Sequence, residues 1–371
     1  MSAGGKALVV GGTGPTGPFI VDGLRQRGYD VTIFHRGTHE IPEIPNDVEH
    51  IHGDPHFPDT IAMALDDRTF DLVVATYGRI RHLAEAMVGR TGRFVSVGGF
   101  PVYKGFMDPD ELQPRGLPVP VSENAPTAGE NDNRFSYLIR STEEAVLESH
   151  PTAAHFRYPY VYGPYQVSPR EWSIVRRILD RRPFMILADG GHNLVTRGYA
   201  GNLAHAVLLA VDQPDRSAGQ VYNCGDEVQY TARQWVELVA AAMGAELEVE
   251  SLPYDIAAHG DSMLIDSGGY HRVVDLHKLR VDLGYRDVVS VADAVAETAT
   301  WLSAHAPEAG GDVEEHIGDS FDYAGEDKLV AAYRAAMDQL TPLAPARPEG
   351  FTPHSYAHPQ QPGQLTDHRN R

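Results

Sequence analysis

The stretch that most constrains the fold lies near the start of the chain, where an apolar run passes directly into a cluster of glycines. Residues 7–10 (ALVV) predict a short strand buried on both faces, as the central strand of a parallel sheet must be. Residues 11–17 (GGTGPTG) predict a tight turn, and a helical pattern starts near Thr16. A helix that starts there directs free N–H groups and the positive end of its dipole at the loop, which therefore favours an anion.

The spacing of the glycines indicates which anion this loop binds. Gly12, Gly14 and Gly17 match the pattern GxGxxG between a predicted strand and a predicted helix, a context typical of dinucleotide binding. Such a loop lets a pyrophosphate approach the backbone closely and lets the helix lie against the strand. The alternative is a glycine-rich turn without a ligand. We predict that the cofactor is bound by the whole loop, which comprises Gly11, Gly12, Thr13, Gly14, Pro15, Thr16 and Gly17.

Composition narrows the class of protein further. With 371 residues, of which 42% are hydrophobic, the chain can bury a large core in two lobes or in one extended α/β unit. The formal net charge of −20 argues against binding to a nucleic-acid backbone. The single cysteine, Cys224, excludes an internal disulfide, and no apolar run reaches membrane-spanning length. We therefore expect a cytoplasmic protein that acts on a small molecule, binds neither nucleic acid nor membrane, and holds no metal.

Apolar runs and helical patterns alternate along the next part of the chain. Further strands are predicted over residues 30–36, 48–54, 70–77 and 93–99. This alternation predicts an α/β fold of the Rossmann type, with a doubly wound parallel sheet. Ligands of such sheets lie beyond the carboxyl ends of the strands.

The ends of these strands supply further cofactor residues. An acidic residue at the end of the second strand would bind the ribose hydroxyls of NAD, whereas Arg36 at that position suits the 2′-phosphate of NADP. We therefore predict NADP, with NAD as the alternative. Asp54 ends the third predicted strand and is expected to meet the adenine edge. Ala75 and Tyr77, at the end of the fourth, are assigned to the same cofactor site.

Several of these segments together resemble a known family. They are the glycine loop, Asp54, FVSVGG at 94–99 followed by Val102 and Tyr103, and RYPYVYGP at 157–164. This set is similar to the extended or atypical short-chain dehydrogenase/reductases, which include nucleotide-sugar epimerases and dehydratases. The resemblance runs from about residue 6 to about residue 302. It implies a substrate cleft between the nucleotide lobe and a smaller C-terminal lobe.

The usual chemistry of that family needs residues that this chain lacks. Its members use a tyrosine as acid or base, a lysine four residues later that lowers the pKa of this tyrosine, and a hydroxyl after the fifth strand. One alignment places Gly99, Phe135 and Ile139 at the hydroxyl, tyrosine and lysine positions. Shifting the helix by two residues restores a tyrosine, Tyr137, but places Ser141 at the lysine position. Neither alignment keeps both the tyrosine and the lysine that follows it by four residues.

Other groups in the cleft must then handle protons. The resemblance implies that Tyr158 and Pro159 line the nicotinamide side of the cleft and that Tyr160 faces the substrate. The phenol of a nearby tyrosine or a histidine that titrates near neutral pH could supply the proton. The candidates for this role are Tyr137, Tyr160, Tyr103 and Tyr162, together with His192.

Three functions remain open at this point. The favoured one is an NAD(P)-dependent oxidoreductase that acts on a small carbonyl, cyclic or sugar-like compound with non-standard proton transfer. The second is an epimerase or dehydratase that oxidises its substrate transiently, a route that needs a base even more. The third is a non-catalytic dinucleotide-binding protein with a regulatory or RNA-binding role. The fold alone does not choose among them.

The chain is expected to divide into four parts. Residues 1–155 form the dinucleotide-binding domain, and residues 156–304 complete the sheet and form the substrate lobe. Residues 305–341 carry an acidic segment and a helix predicted over 328–340, and residues 342–371 form a mobile tail without an apolar period. The helix would pack either on the rest of the chain or on a second subunit. A homodimer is therefore one of the two alternatives.

Overall fold

A computed structural model describes residues 4–37, 40–76, 79–257, 269–346 and 358–366. Contacts within the chain divide it into two compact units, Met1–Phe321 and Asp322–Arg371. The first unit carries the sheet and the cavities described below. The finer domain boundaries given above remain predictions.

The first unit is built around a seven-stranded sheet, with two further short strand pairs among the described residues. The strands are β1 (Lys6–Val10), β2 (Asp30–His35), β3 (Glu49–His52), β4 (Phe70–Ala75), β5 (Thr91–Gly99), β6 (Ala154–Tyr158), β7 (Tyr160–Tyr162), β8 (Phe184–Ala188), β9 (Arg197–Tyr199), β10 (Val221–Asn223) and β11 (Glu248–Leu252). The large sheet has the order β10-β6-β5-β4-β1-β2-β3, and all its strands run parallel. The two pairs are β11 with β8 and β7 with β9.

Helices connect these strands and cover the sheet. They are α1 (Gly17–Gln26), α2 (Pro58–Leu65), α3 (Arg81–Ala86), α4 (Arg134–Ser149), α5 (Trp172–Leu179), α6 (Ala200–Asp212), α7 (Pro214–Ser217), α8 (Ala232–Ala242), α9 (His277–Leu283), α10 (Val291–Ala304) and α11 (Asp312–Ile317). The strand order reverses between β1 and β4, so the chain winds outwards in both directions from this point. The predicted α/β fold with a doubly wound parallel sheet is confirmed.

The central strand β1 shows why the sheet needs helices on both faces. Ala7, Leu8, Val9 and Val10 are all fully buried. Because successive side chains point to opposite faces, Ala7 and Val9 pack in the core layer that contains α1 and α6. Leu8 and Val10 pack in the layer that contains α2 and α3. The apolar run that opened the sequence therefore lies at the middle of both core layers.

The strand ends differ from the predicted ones by one or two residues. β2 ends at His35, so Arg36 lies just beyond the strand, where the chain leaves the sheet. β3 spans Glu49–His52 instead of 48–54, and Pro55, which has no backbone N–H, follows two residues after Gly53. The family resemblance starts the sixth strand at residue 156, whereas β6 begins at Ala154 and so includes His155.

The second unit contains one long helix, α12 (Tyr323–Leu340), followed by a short 3₁₀ turn at Thr341–Leu343. The Asp322 carboxylate caps α12 by accepting a hydrogen bond from the Gly325 N–H. This helix begins five residues before the predicted one. Among the described residues of either unit, no helix has the length and apolar character needed to cross a lipid bilayer.

Candidate functional site

The turn between β1 and α1 is held by backbone contacts that side chains would disrupt. Gly11 adopts a positive φ of 91° and donates its N–H to the Phe34 carbonyl at 3.0 Å. A Cβ on Gly17 would lie 2.1 Å from the Gly12 carbonyl oxygen, so α1 can pack this closely only with glycine there. A Cβ on Gly14, in contrast, would meet only the Gly11 carbonyl oxygen, at 3.8 Å, and would point into open space.

The open space above this turn is a cavity of about 330 Å³, which we call the loop cavity. It lies where the strand order reverses, the position at which doubly wound sheets bind ligands. It is lined by Gly11, Thr13, Gly14, Pro15, Thr16, Phe34, His35, Arg36, Pro55, Thr76, Tyr158, Val161 and Val167. Most of the glycine loop, Arg36 and Tyr158 thus surround one space.

The other predicted cofactor residues have different positions. Gly12 and Gly17 lie inside the turn and do not line the loop cavity. Ala75 is fully buried in β4, and its neighbour Thr76 reaches the cavity instead. Pro159 lines a second cavity, described below.

Tyr77 and Asp54 are the last two residues predicted to contact the cofactor. Tyr77 lies outside the described residues. The Asp54 carboxylate accepts hydrogen bonds from the backbone N–H of His56 at 2.9 Å and contacts its Nδ1 at 2.7 Å. These contacts, the backbone one first, hold the pKa of Asp54 below its usual range. Asp54 is not among the residues that line the loop cavity, although the next residue, Pro55, is.

A second, larger cavity of about 700 Å³ adjoins the first, and we call it the cleft cavity. Its walls are mostly apolar and include Phe100, Phe106, Phe135, Leu138 and Ile139. Gly98, Gly99, Pro101, Thr142, His155, Pro159 and Tyr160 also line it, and the basic groups His56, Arg79, Arg81 and His82 border it. Tyr158 lines both cavities, so the two spaces meet at one side chain.

The orientation of α4 decides which residues occupy the family's tyrosine and lysine positions. Phe135 and Ile139 lie one turn apart on this helix and both face the cleft cavity. Tyr137 is half-buried and lies two residues from Phe135, on another side of the helix, and it lines neither cavity. The structure therefore presents an apolar pair to the cleft, as in the first of the two alignments.

Of the predicted proton-transfer residues, Tyr160 lines the cleft cavity. Its hydroxyl donates to the Ser168 carbonyl at 2.9 Å and accepts from the Arg170 N–H at 2.7 Å. Burial, reinforced by the negative charge of Glu171, raises the pKa of Tyr160 well above its usual value. The phenol therefore keeps its proton near neutral pH.

The remaining candidates do not line either cavity. Tyr103 is fully buried; its hydroxyl donates to Asn223 Oδ1 at 2.6 Å and accepts from Arg157 Nη1 at 2.8 Å. Tyr162 is also fully buried and packs edge-on against Trp235. His192 is exposed and lies against Gly190, away from the cleft. Their catalytic roles stay predictions, and the geometry gives them no position beside the cavities.

Sequence reasoning missed His155, which lines the cleft cavity from β6. It is buried beneath Gly98, where a Cβ would lie 2.5 Å from His155 Nε2. Its Nδ1 is 2.7 Å from Ser96 Oγ, and its Nε2 lies 3.4 Å from Glu143 Oε2. Burial lowers the pKa of His155 to about 4, so the ring is neutral at pH 7. Extending β6 by two residues would have paired His155 with Ser96 and indicated this position.

The parallel doubly wound sheet is similar to the folds of several solved structures. The chain matches the structure of dTDP-glucose 4,6-dehydratase from Bacillus anthracis in complex with NAD with a TM-score of 0.63 and 16% identity, over 81% of this chain and 97% of that one. It matches UDP-glucose 4-epimerase with UDP-glucose from Thermotoga maritima with a TM-score of 0.64 and 16% identity, over 81% and 100% of the two chains. The predicted resemblance is confirmed at the level of the fold.

Comparison of sequences gives shorter matches. The chain is 29% identical over 151 residues to UDP-D-apiose/UDP-D-xylose synthase 2 of Arabidopsis thaliana. This match covers 38% of this chain and 38% of that synthase, so well under half of the relative's own length is matched. No protein-family model matches the chain.

Proposed function

We propose that the protein is an NAD(P)-dependent oxidoreductase that acts on a small molecule bound in the cleft cavity. The observation that carries this proposal is the position of Tyr158, which lines both the loop cavity and the cleft cavity. A dinucleotide that occupies the first cavity would thereby reach the edge of the second. A small molecule in the second cavity would then lie next to the reactive end of the cofactor.

The residues around the loop cavity fit a dinucleotide. The backbone beside Gly14 is open to a close approach, and α1 starts directly after the loop and directs the positive end of its dipole at it, although the Gly17 N–H is bonded to the Gly14 carbonyl and Pro18 has no N–H. Arg36 lines the same cavity beyond the end of β2, where a guanidinium can pair with a 2′-phosphate. We therefore favour NADP over NAD. A bound nicotinamide dinucleotide would supply hydride transfer, and the protein would supply position and exclude competing reactions.

The apolar pair Phe135 and Ile139 limits the direction of the chemistry. Oxidation of an alcohol requires a base, and no phenolate held by a lysine faces the cleft from α4. Reduction of a carbonyl by hydride leaves an alkoxide, which water entering the cleft can protonate, and a hydrogen bond to the substrate oxygen stabilises the negative charge that develops there. The Tyr160 phenol keeps its proton and donates a hydrogen bond to the Ser168 carbonyl, so it would have to turn from that carbonyl to the substrate oxygen to give this hydrogen bond. We therefore propose reduction of a carbonyl, with Tyr160 polarising the substrate oxygen.

The walls of the cleft cavity also favour a type of substrate. Phe135 is 55% exposed and lines this cavity together with Phe100, Phe106 and Leu138, so the apolar side chains form a contiguous wall. Such walls suit an aliphatic or cyclic body. Arg79 and Arg81 are exposed at the border of the same cavity and favour an anionic group on the substrate.

Two measurements test the proposal. Titration of the protein with NADPH, followed by nicotinamide fluorescence, should show saturable binding. Incubation with NADPH deuterated at C4 and a panel of cyclic and aliphatic carbonyl acids should transfer deuterium to one face of one product. Binding without transfer across the panel would reject the oxidoreductase and leave a dinucleotide-binding protein.

An epimerase or dehydratase is a second candidate, because the solved structures named above include an epimerase and a dehydratase. It would oxidise and re-reduce its substrate without net use of the cofactor. A panel of nucleotide sugars in deuterated water tests it: epimerisation by return of the same hydride would give the epimer without deuterium at carbon, and elimination would give a product that carries solvent deuterium, while the NAD(P)H concentration stays constant in both cases. The apolar pair Phe135 and Ile139 counts against this candidate and favours a third, a non-catalytic dinucleotide-binding protein.

A further inference from the structure

Four potential metal ligands meet at the outer edge of the sheet. They are His35 at the end of β2, His50 and His52 on β3, and Glu40 in the connection that follows β2. In the part of the chain that the structure describes, one ligand atom from each of them lies within 4.8 Å of the other three. The function proposed above gives these four residues no common role.

The sheet itself brings the three histidines together. In the parallel pair formed by β2 and β3, His35 stands opposite His52. His50 and His52 are two residues apart on β3, so their side chains point to the same face of the sheet. Gly37, with a positive φ of 72°, lets the chain turn over the His52 ring, where a Cβ would lie 3.2 Å from its Cδ2. Backbone pairing, and not chance contact of surface side chains, therefore places the imidazoles.

The spacing of the ligand atoms suits a tetrahedral ion. His35 Nε2 lies 3.1 Å from His50 Nδ1, and His52 Nε2 lies 3.4 Å from Glu40 Oε1. Four ligands at about 2.0–2.1 Å from a central ion stand about 3.3 Å from one another in a tetrahedron. These two edges lie close to this value, and no two of the four ligand atoms are more than 4.8 Å apart. Since His52 and Glu40 are more than half exposed, they can rotate to adjust the longer edges.

The packing of His35 also favours a metal ligand. This residue is 5% exposed, and its ring centroid lies 5.1 Å from that of His50 and 5.0 Å from that of His52. A neutral imidazole offers a lone pair to a metal. His35 Nδ1 accepts a 3.3 Å hydrogen bond from the Gly37 N–H, so coordination through Nε2 would move the ring proton to Nδ1 and end that contact. The His35 ring still carries one proton after this move and stays neutral, so metal binding neither adds a proton to it nor removes one.

We propose that His35, Glu40, His50 and His52 form a binding site for a divalent transition metal, with Zn²⁺ the ion that fits best. Three imidazoles and one carboxylate in a tetrahedral arrangement suit Zn²⁺, whereas Mg²⁺ and Ca²⁺ prefer more numerous oxygen ligands. The ion would tie the connection at Glu40 to the ends of β2 and β3. This site does not depend on the proposed oxidoreductase activity.

Titration with Co²⁺ tests the site in the full-length protein, prepared without a polyhistidine tag. Four-coordinate Co²⁺ absorbs visible light far more strongly than six-coordinate Co²⁺, so the spectrum reports the geometry directly. We expect one Co²⁺ per chain with a four-coordinate spectrum, and displacement of that spectrum by Zn²⁺. The variants His52→Ala and Glu40→Gln should each weaken Zn²⁺ binding at least about 100-fold, because even groups that only support a ligand are worth about 10–100-fold.

Both variants change exposed side chains, so they should fold normally, which circular dichroism and the urea midpoint without metal would verify. His277→Ala is the matched control, since His277 is an exposed histidine outside the group, and it should bind like the original protein. A six-coordinate spectrum, no Co²⁺ spectrum, or equal affinities of His52→Ala and His277→Ala would overturn the proposal.

Discussion

The Arg157 guanidinium donates two hydrogen bonds to the Glu143 carboxylate, from Nε at 2.9 Å and from Nη2 at 2.7 Å. Both residues are buried, and the contact fixes α4 against β6. Phe135, Ile139 and Glu143 follow one another at intervals of four residues, so they share one stripe of the helix. The ion pair thereby sets the rotation of α4 that presents Phe135 and Ile139 to the cleft cavity.

Removing one partner of this pair should be costly. Glu143→Gln leaves the Arg157 charge buried without a counter-charge, and we expect a loss of about 3–5 kcal/mol in the free energy of unfolding. Urea denaturation at pH 7 measures it. The neighbouring pair Arg140–Glu144 is largely exposed, so Glu144→Gln is the matched control, with an expected change of at most about 0.5 kcal/mol. Similar losses for the two variants would show that the burial of Glu143 and Arg157 does not determine the loss in the free energy of unfolding.

His155 should make the protein less stable in mild acid. Its pKa is about 4 in the folded chain against a usual value of 6.5, so the unfolded chain binds more protons between these values. Stability therefore falls as pH decreases from about 6.5 to about 4, and this residue contributes about 3 kcal/mol to the fall. Urea midpoints at pH 7, 5.5 and 4.5 would show it.

The variant His155→Asn isolates this effect from that of other histidines. It removes the titrating ring, so its stability should depend less steeply on pH over the same interval, even if the variant is less stable at pH 7. His277→Ala, on the surface, should keep the original slope. An unchanged slope in His155→Asn would mean that the ring is not held neutral by burial.

The sequence predicted the features that depend on local order along the chain. The apolar run of β1, the glycine turn and the alternation of strands and helices were sufficient for the doubly wound sheet, because each signal lies within a few residues. The same signals place Thr13, Pro15 and Arg36 at the loop cavity. Strand ends were less accurate, as β3 and β6 show, since hydrogen-bond partners on other strands decide where a strand stops.

The sequence did not predict features that depend on rotation and on pairing between distant residues. Two alignments of α4 were open until the Glu143–Arg157 contact fixed which face meets the cleft. The phenol of Tyr103 was a catalytic candidate, yet Arg157 and Asn223 enclose it in the core. His50 and His52 form an H-x-H pattern on β3, but only the register of β2 against β3 brings His35 next to them.

The glycine turn offers a pair of variants that separate folding from binding. Gly17→Ala would place a Cβ 2.1 Å from a backbone oxygen, so it should destabilise the protein by about 1–3 kcal/mol. Gly14→Ala has room in the turn, so the urea midpoint should stay close to the original, while NADPH should bind at least about 10-fold more weakly. Unchanged NADPH affinity in Gly14→Ala would place the cofactor elsewhere.

Arg36 should discriminate between the two dinucleotides. Charged hydrogen bonds to a phosphate are worth about 1.5–3 kcal/mol, so Arg36→Ala should weaken NADPH binding by about 10- to 100-fold and leave NADH binding almost unchanged. Fluorescence titrations with both cofactors measure the ratio. Arg25→Ala, which removes a guanidinium engaged with Asp47 at 2.7 Å, is the control and should alter neither affinity. Equal weakening for NADPH and NADH would reject recognition of the 2′-phosphate.

Tyr160 and Tyr137 can be compared directly as sources of the hydrogen bond to the substrate. Tyr160 lines the cleft cavity and Tyr137 does not, so Tyr160→Phe should lower kcat for carbonyl reduction about 100-fold, the effect of losing one well-placed donor. Tyr137→Phe should leave kcat within about twofold, because its ring lies on another side of α4. NADPH affinity should be the same in both variants, which separates chemistry from cofactor binding. The opposite ranking would mean that α4 turns Tyr137 towards the substrate and that the apolar pair does not face the reaction.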